Sequence, residues 1–249
     1  MVNCWADHIG GCDTKISREH YVSDNFFTST SVKVEGLAWC KAEPKIIGIS
    51  AATAKILCRT HNSSLSPLDA EIGKFMHAIR EHMRLSSVRG KLAQTPLQIL
   101  RFKINARFLE RWLLKVLLNL MFESRFLIGR SGIEVGRPPE DLVRTVFGLT
   151  SFEGKAGMYV GAHMGLTMTM GETLEFSPLL EDDKYVLGGF FKVGGMLFYL
   201  CLEPEGVMVP FNQIPGVDSD WSTTELKWHF QKMKAMHGRY LSHTIEFQW

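Results

Sequence analysis

Two short stretches, far apart in the chain, carry the donors of one potential metal site. NCWADHIGGC holds Cys4 and Cys12, and KILCRTHNSSLSPLD holds Cys58 and His61. A closed site of thiolates and imidazole would force both stretches into contact, which few folds of so short a segment allow. Cys58-x-x-His61 has the close spacing of a ligand pair on one knuckle. Cys4 and Cys12 are separated by seven residues, so the first knuckle is an enlarged loop, and His8 between them is an alternative to either. Soft thiolates with one imidazole suit a structural Zn²⁺. Cys40 and Cys201 have no such partner and read as free buried thiols. Five cysteines, an odd number, argue against a disulfide framework.

The pattern after this stretch is helical. Ser66 reads as an N-cap and Pro67 as the first helical residue, with acids in the first turn. Leu68, Ile72, Phe75, Met76, Ile79 and Met83 recur on one face. Upstream, SVKVEG (31–36) and IIGIS (46–50) read as strands. FKINARFLERWLLKVLLNLMFES reads as a long helix apolar on more than one face, hence buried. PPEDLVRTVFG reads as a short helix. From Gly148 onward, GMYVGAHM, TMTMGETLEF, YVLGGFFKVGGMLFYLCLE and VMVPFN read as strands of an antiparallel sheet. The expected class is α+β: a zinc-bound N-terminal unit over residues 1–90, then a helical linker and β-rich regulatory or recognition domain over 91–249.

Charge is unevenly spread. Residues 1–125 hold 18 Lys+Arg against 11 Asp+Glu, and residues 126–249 hold 10 against 15. The basic half, with Lys15, Arg18, Lys33, Lys41, Lys45, Lys55, Arg59 and Lys74 around the donor motifs, favours a polyanionic partner. No apolar run is long enough to span a bilayer and no signal peptide pattern opens the chain, so a cytoplasmic protein without membrane contact is expected.

Between the two knuckles lies KISREHYVSDNFF. A carboxylate (Glu19) and an amide oxygen (Asn62) suit a hard cation such as Mg²⁺, and His20 suits a general base. The run of C-x7-C, SREHYVS and ILCRTHNSSLSPLD resembles the HNH nuclease family in its treble-clef, zinc-knuckle form, over about residues 1–85. The resemblance implies a ββα-metal unit in which Glu19 and Asn62 hold catalytic Mg²⁺ (or Mn²⁺), His20 activates water, and Cys4, Cys12, Cys58 and His61 hold zinc. The family's middle residue, usually asparagine, orients the base, and Thr53 occupies that place here, nine positions before Asn62. The implied activity is DNA phosphodiester hydrolysis, in a setting such as bacterial defence against phage, with the second domain regulating or targeting it. The alternative is a zinc module that binds nucleic acid or a protein partner without cutting. The apolar helix also allows a homo-oligomer or a subunit of a larger complex.

Overall fold

Arg-Phe-Lys-Ile-Asn alternates apolar and polar residues, and Asn105 then caps a helix, its side chain accepting from the Phe108 amide at 3.0 Å. The stretch expected to be helical from its first residue therefore divides into a strand and a helix, because period-2 alternation precedes the cap. In the computed structural model, which describes residues 4–37, 40, 43–89, 100–122, 124–161, 172–207, 232–237 and 241–249, these are β5 and α3.

The chain order is β1 (Ile16–His20), β2 (Ser31–Val34), β3 (Lys45–Gly48), β4 (Thr53–Cys58), α1 (Arg59–Ser64), α2 (Ser66–Arg89), β5 (Arg101–Asn105) and α3 (Ala106–Met121). It continues with β6 (Leu127–Ile128), α4 (Glu140–Val146), β7 (Gly157–Gly161), β8 (Leu174–Glu181), β9 (Tyr185–Val193), β10 (Met196–Cys201), β11 (Lys232–His237) and β12 (Leu241–Gln248). The result is a mixed α/β protein built on several small sheets. β1 pairs antiparallel with β4, and β2 with β3. β7, β10, β9 and β8 form an antiparallel sheet, but β6 joins β9 in parallel. β12 pairs antiparallel with β11 and parallel with β5. The two parallel pairings depart from the all-antiparallel expectation. The runs at 162–171 and 208–212, expected to contribute strands, lie outside the described residues.

α2 buries Leu68, Ile72, Phe75, Met76 and Ile79 as its spacing predicts, whereas Met83 is 40% exposed. α3 is the central element. Trp112, Leu113, Leu114, Val116, Leu117 and Leu118 are all buried, because α2, α4, β5, β9, β10 and β12 pack around it. The expected boundary near residue 90 falls at the undescribed residues 90–99. The core continues across it: Leu57 and Phe75 share one cluster with Trp112, Phe198 and Phe247. Glu71 on α2, itself buried, accepts from the Asn105 amide at 2.7 Å and so fixes the β5–α3 corner to the N-terminal unit. Among the described residues no helix is long and apolar enough to cross a membrane.

Candidate metal centre

The enlarged first knuckle is closed by local backbone geometry. Trp5 donates to the Ile56 carbonyl at 3.0 Å, which lays residues 4–6 beside β4. A 3-10 turn at Asp7–Ile9 follows, and Gly10 and Gly11 have φ of +74° and +72°. A Cβ at either glycine would meet nothing within 4 Å, so the demand there is conformational rather than steric. Two successive left-handed residues turn the chain back and return Cys12 toward Cys4.

The second knuckle is a helix start. Cys58 ends β4 and caps α1, its sulfur accepting from the His61 amide at 3.5 Å. The Cys58 amide in turn donates to the Cys4 sulfur at 3.4 Å. His61 Nδ1 then lies 3.4 Å from Cys4 Sγ, 3.6 Å from Cys12 Sγ and 3.3 Å from Cys58 Sγ. The four donor atoms all fall within 4.8 Å of one another. Tetrahedral zinc, with Zn–S of about 2.3 Å and Zn–N of about 2.0 Å, sets an S···N edge of about 3.5 Å. The observed spacings match that edge, and the Cys₃His cluster can hold a zinc ion.

The surroundings shift two of the four donors, His61 and Cys58, toward the form that ligates a metal. Burial lowers the His61 pKa and keeps the imidazole neutral, while the ring's other hydrogen bond goes to the Gly10 backbone. Such a second bond fixes which nitrogen faces a metal. The edge of Phe147 covers the ring at a centroid distance of 5.3 Å. Burial raises the Cys4 thiol, and burial together with the neighbouring Cys4 pushes Cys12 up to about 12. For Cys58 burial works in the same direction, but the amides of His61 and Asp13 outweigh it and the pKa falls. Three converging thiols resist joint ionisation until a dication offsets the charge. His8 stands outside the cluster, 3.7 Å from Asp7, so both cysteines of the first knuckle are used. Asp7 also takes Arg137 Nη2 at 2.8 and 2.7 Å, which anchors the knuckle to the loop before α4. Cys40 and Cys201 are buried and free.

The expected catalytic residues are placed differently. Glu19 is 3% exposed and turns into the core, where Lys115 Nζ of α3 lies 2.6 Å from its carboxylate. Asn119 Nδ2 approaches the same oxygen at 3.4 Å and the His20 carbonyl at 3.1 Å. Lys115 also contacts Asp69 of α2 at 2.8 Å, and Asp69 takes the Ser23 hydroxyl. Trp112 Nε1 donates to Ser23 at 2.8 Å, and Trp5 Nε1 to Asn119 at 3.1 Å. This network therefore joins the Cys4–Cys12 knuckle, β1 and α2 to α3. Asn62 instead points its amide at the Ser17 hydroxyl, 3.0 Å away. His20 is half-buried and sits across the β1–β4 pair from Thr53, whose hydroxyl donates to the Ser50 carbonyl at 3.4 Å. Among the described residues no side-chain hydrogen bond links Glu19, His20 and Asn62. The carboxylate proposed for Mg²⁺ thus already has an ammonium partner, and the residues as arranged do not fit a hard-cation site.

Lys115 and Asn119 are the residues the sequence reading missed. With Trp112 they recur at helical spacing on α3, two polar groups on an otherwise apolar face, and that was the available signal. The β1–β4 ribbon also carries Arg18 and Lys55, with Lys15 and Arg59 at its end, all exposed. Lys15 and Arg59 are joined through the backbone, and the register slips around Arg18. Asp13 is the acid that answers them, 3.1 Å from Arg59. Comparison of the chain with protein-family models, curated proteins and solved structures finds no match.

Proposed function

We propose that this chain is a zinc-stapled, HNH-like ββα module that binds nucleic acid along the β1–β4 ribbon. The observation that carries the reading is the Cys₃His cluster at the point where the ribbon passes into α1, with four exposed cations on the ribbon or at its end. Zinc would hold the ribbon against the helices, and Lys15, Arg18, Lys55 and Arg59 would meet phosphates. Phosphate contacts of this kind position a duplex without reading its sequence.

The test is fluorescence anisotropy of a labelled duplex over a salt series. Each phosphate contact contributes about −0.9 to the slope of log K against log salt. Replacing all four cations with glutamine lowers the slope by about 3 if most of them touch phosphate. Salt-independent binding, or none, sinks the reading and leaves a protein partner as the alternative.

A second reading adds HNH-type hydrolysis of DNA, as in defence against foreign DNA. His20 supports it: a half-exposed imidazole at the ribbon end, opposite Thr53, is a residue type that could take a proton from water. The Glu19–Lys115 pair opposes it. Plasmid nicking with Mg²⁺ or Mn²⁺ that disappears in His20→Ala supports cutting. Equal nicking by both proteins, or by neither, rejects it.

A further inference from the structure

Beside the first turns of α3, a cleft of about 380 Å³ opens between that helix, the segment after α4 and Trp249. Its cationic wall comes from Arg107 and Arg111, which lie one helical turn apart. Arg111 is held in place: Nε donates to the Val146 carbonyl at 2.7 Å and the guanidinium lies over the Phe108 ring at 5.3 Å. Gly148 gives it room. A Cβ there would come within 2.7 Å of Arg111 Nη1, and the glycine's φ is +71°. The Nη groups of Arg111 have no hydrogen-bond acceptor among the described residues. Arg107 is exposed.

Beside the cations sits a carboxyl group. Glu110 accepts from the Met158 amide at 2.8 Å, and burial pushes its pKa up to about 7, against the opposing charge of Arg107. With that pKa the carboxyl is protonated in part at neutral pH, and its protonated form both donates and accepts hydrogen bonds. Phe108 and Phe152 supply flat apolar lining, and Thr150 a hydroxyl. Concave shape, aromatic lining, a few converging polar groups and a shifted carboxyl together mark a small-molecule site.

We propose that this cleft binds a small ligand carrying an anionic group beside a flat ring, of the size and chemistry of a nucleoside monophosphate. Arg107 and Arg111 pair with the anion, Phe108 and Phe152 hold the ring, and Glu110 bonds a polar ring edge. The site lies apart from the β1–β4 ribbon and does not depend on that ribbon's function.

Calorimetric titration of the full chain with AMP, GMP, CMP and UMP, and with inorganic phosphate and adenosine as the two halves, tests it. At least one nucleotide is expected to saturate with Kd below about 1 mM and to bind at least about tenfold more tightly than phosphate alone. Arg107→Gln and Arg111→Gln should each weaken it by about tenfold or more. Arg107 makes no structural hydrogen bond among the described residues, so its variant remains informative if Arg111→Gln does not fold. Absence of saturation by all four nucleotides overturns the proposal. Unchanged affinity in Arg107→Gln does too, since it assigns the heat to another surface. Equal affinity for phosphate and nucleotide removes the ring contact and with it the proposed ligand class.

Discussion

Two clusters of polar side chains tie elements of this protein together, and they handle charge in different ways. Around Glu19 the chain provides both signs: two carboxylates, Glu19 and Asp69, converge on the ammonium of Lys115. Around His61 it provides donors alone, three thiols and a neutral imidazole. The first cluster carries its own cation and contributes geometry, locking β1 and α2 to α3. The second would gain its stability from a dication. The contrast separates polar side chains that converge without a counter-charge from carboxylates that already hold a cation within the fold. It also weighs against hydrolysis more heavily than Thr53 does.

The largest expected effect comes from the metal cluster. Zinc binding is folding free energy in small modules of this kind. Chelation, or Cys58→Ser, should lower the unfolding midpoint by about 10 °C or more in a calorimetric scan. A midpoint unmoved by chelator would place the knuckle among ordinary cores and erase the contrast.

Next is the ion pair. Lys115→Met leaves Glu19 buried beside no cation and should cost about 3–5 kcal/mol in urea unfolding. Adding Glu19→Leu should recover most of that loss, because removing both charges of a buried pair is often nearly neutral. Failure of the second change to rescue would mean that Lys115 stabilises through Asp69 rather than Glu19.

Glu110 gives a pH-dependent effect. Its pKa is raised from 4.5 to about 7, so over that window the folded chain keeps a proton that the unfolded chain has released. Its contribution is fully present below the window and is lost as pH rises through it. Glu110→Gln keeps an acceptor for the Met158 amide, and should be more stable than wild type at pH 8 by on the order of 2–3 kcal/mol. Near pH 4 the two should coincide. Parallel stability curves from pH 4 to 8 would contradict the buried carboxyl.

The smallest effect is expected at Arg137→Ala. This guanidinium holds Asp7 of the knuckle, but the pair is partly exposed, with side-chain accessibilities of 27% and 39%. Its loss should cost below about 1 kcal/mol and shrink further in high salt. A larger loss would show that the knuckle needs an outside brace besides its metal.

Much of this arrangement was legible in the sequence because its signals are local. The Cys58-x-x-His61 pair, the Ser66-Pro67 start of α2, and β2 and β3 each follow from spacing or capping within a few residues. The Glu19 partnership was not legible, because its counterpart lies on α3, far along the chain. Lys115 sits in an apolar run where a lysine usually extends its head to water. Nothing nearby signals that two carboxylates meet it. β5 was hidden for a related reason: its five residues run directly into a strongly apolar helix, whose pattern masks the alternation. The parallel pairings β5–β12 and β6–β9 join segments whose partners no local period specifies. The Glu110 cleft lacks any motif. It forms from α3, the loop after α4 and the last residue of the sequence.

The claim beneath all of this is that Cys4, Cys12, Cys58 and His61 hold one zinc ion. Native mass spectrometry of the full-length chain measures it directly. The account predicts one zinc per chain, retained through desalting, and none in Cys58→Ser. A wild-type chain without zinc, or a variant that keeps it, contradicts the account.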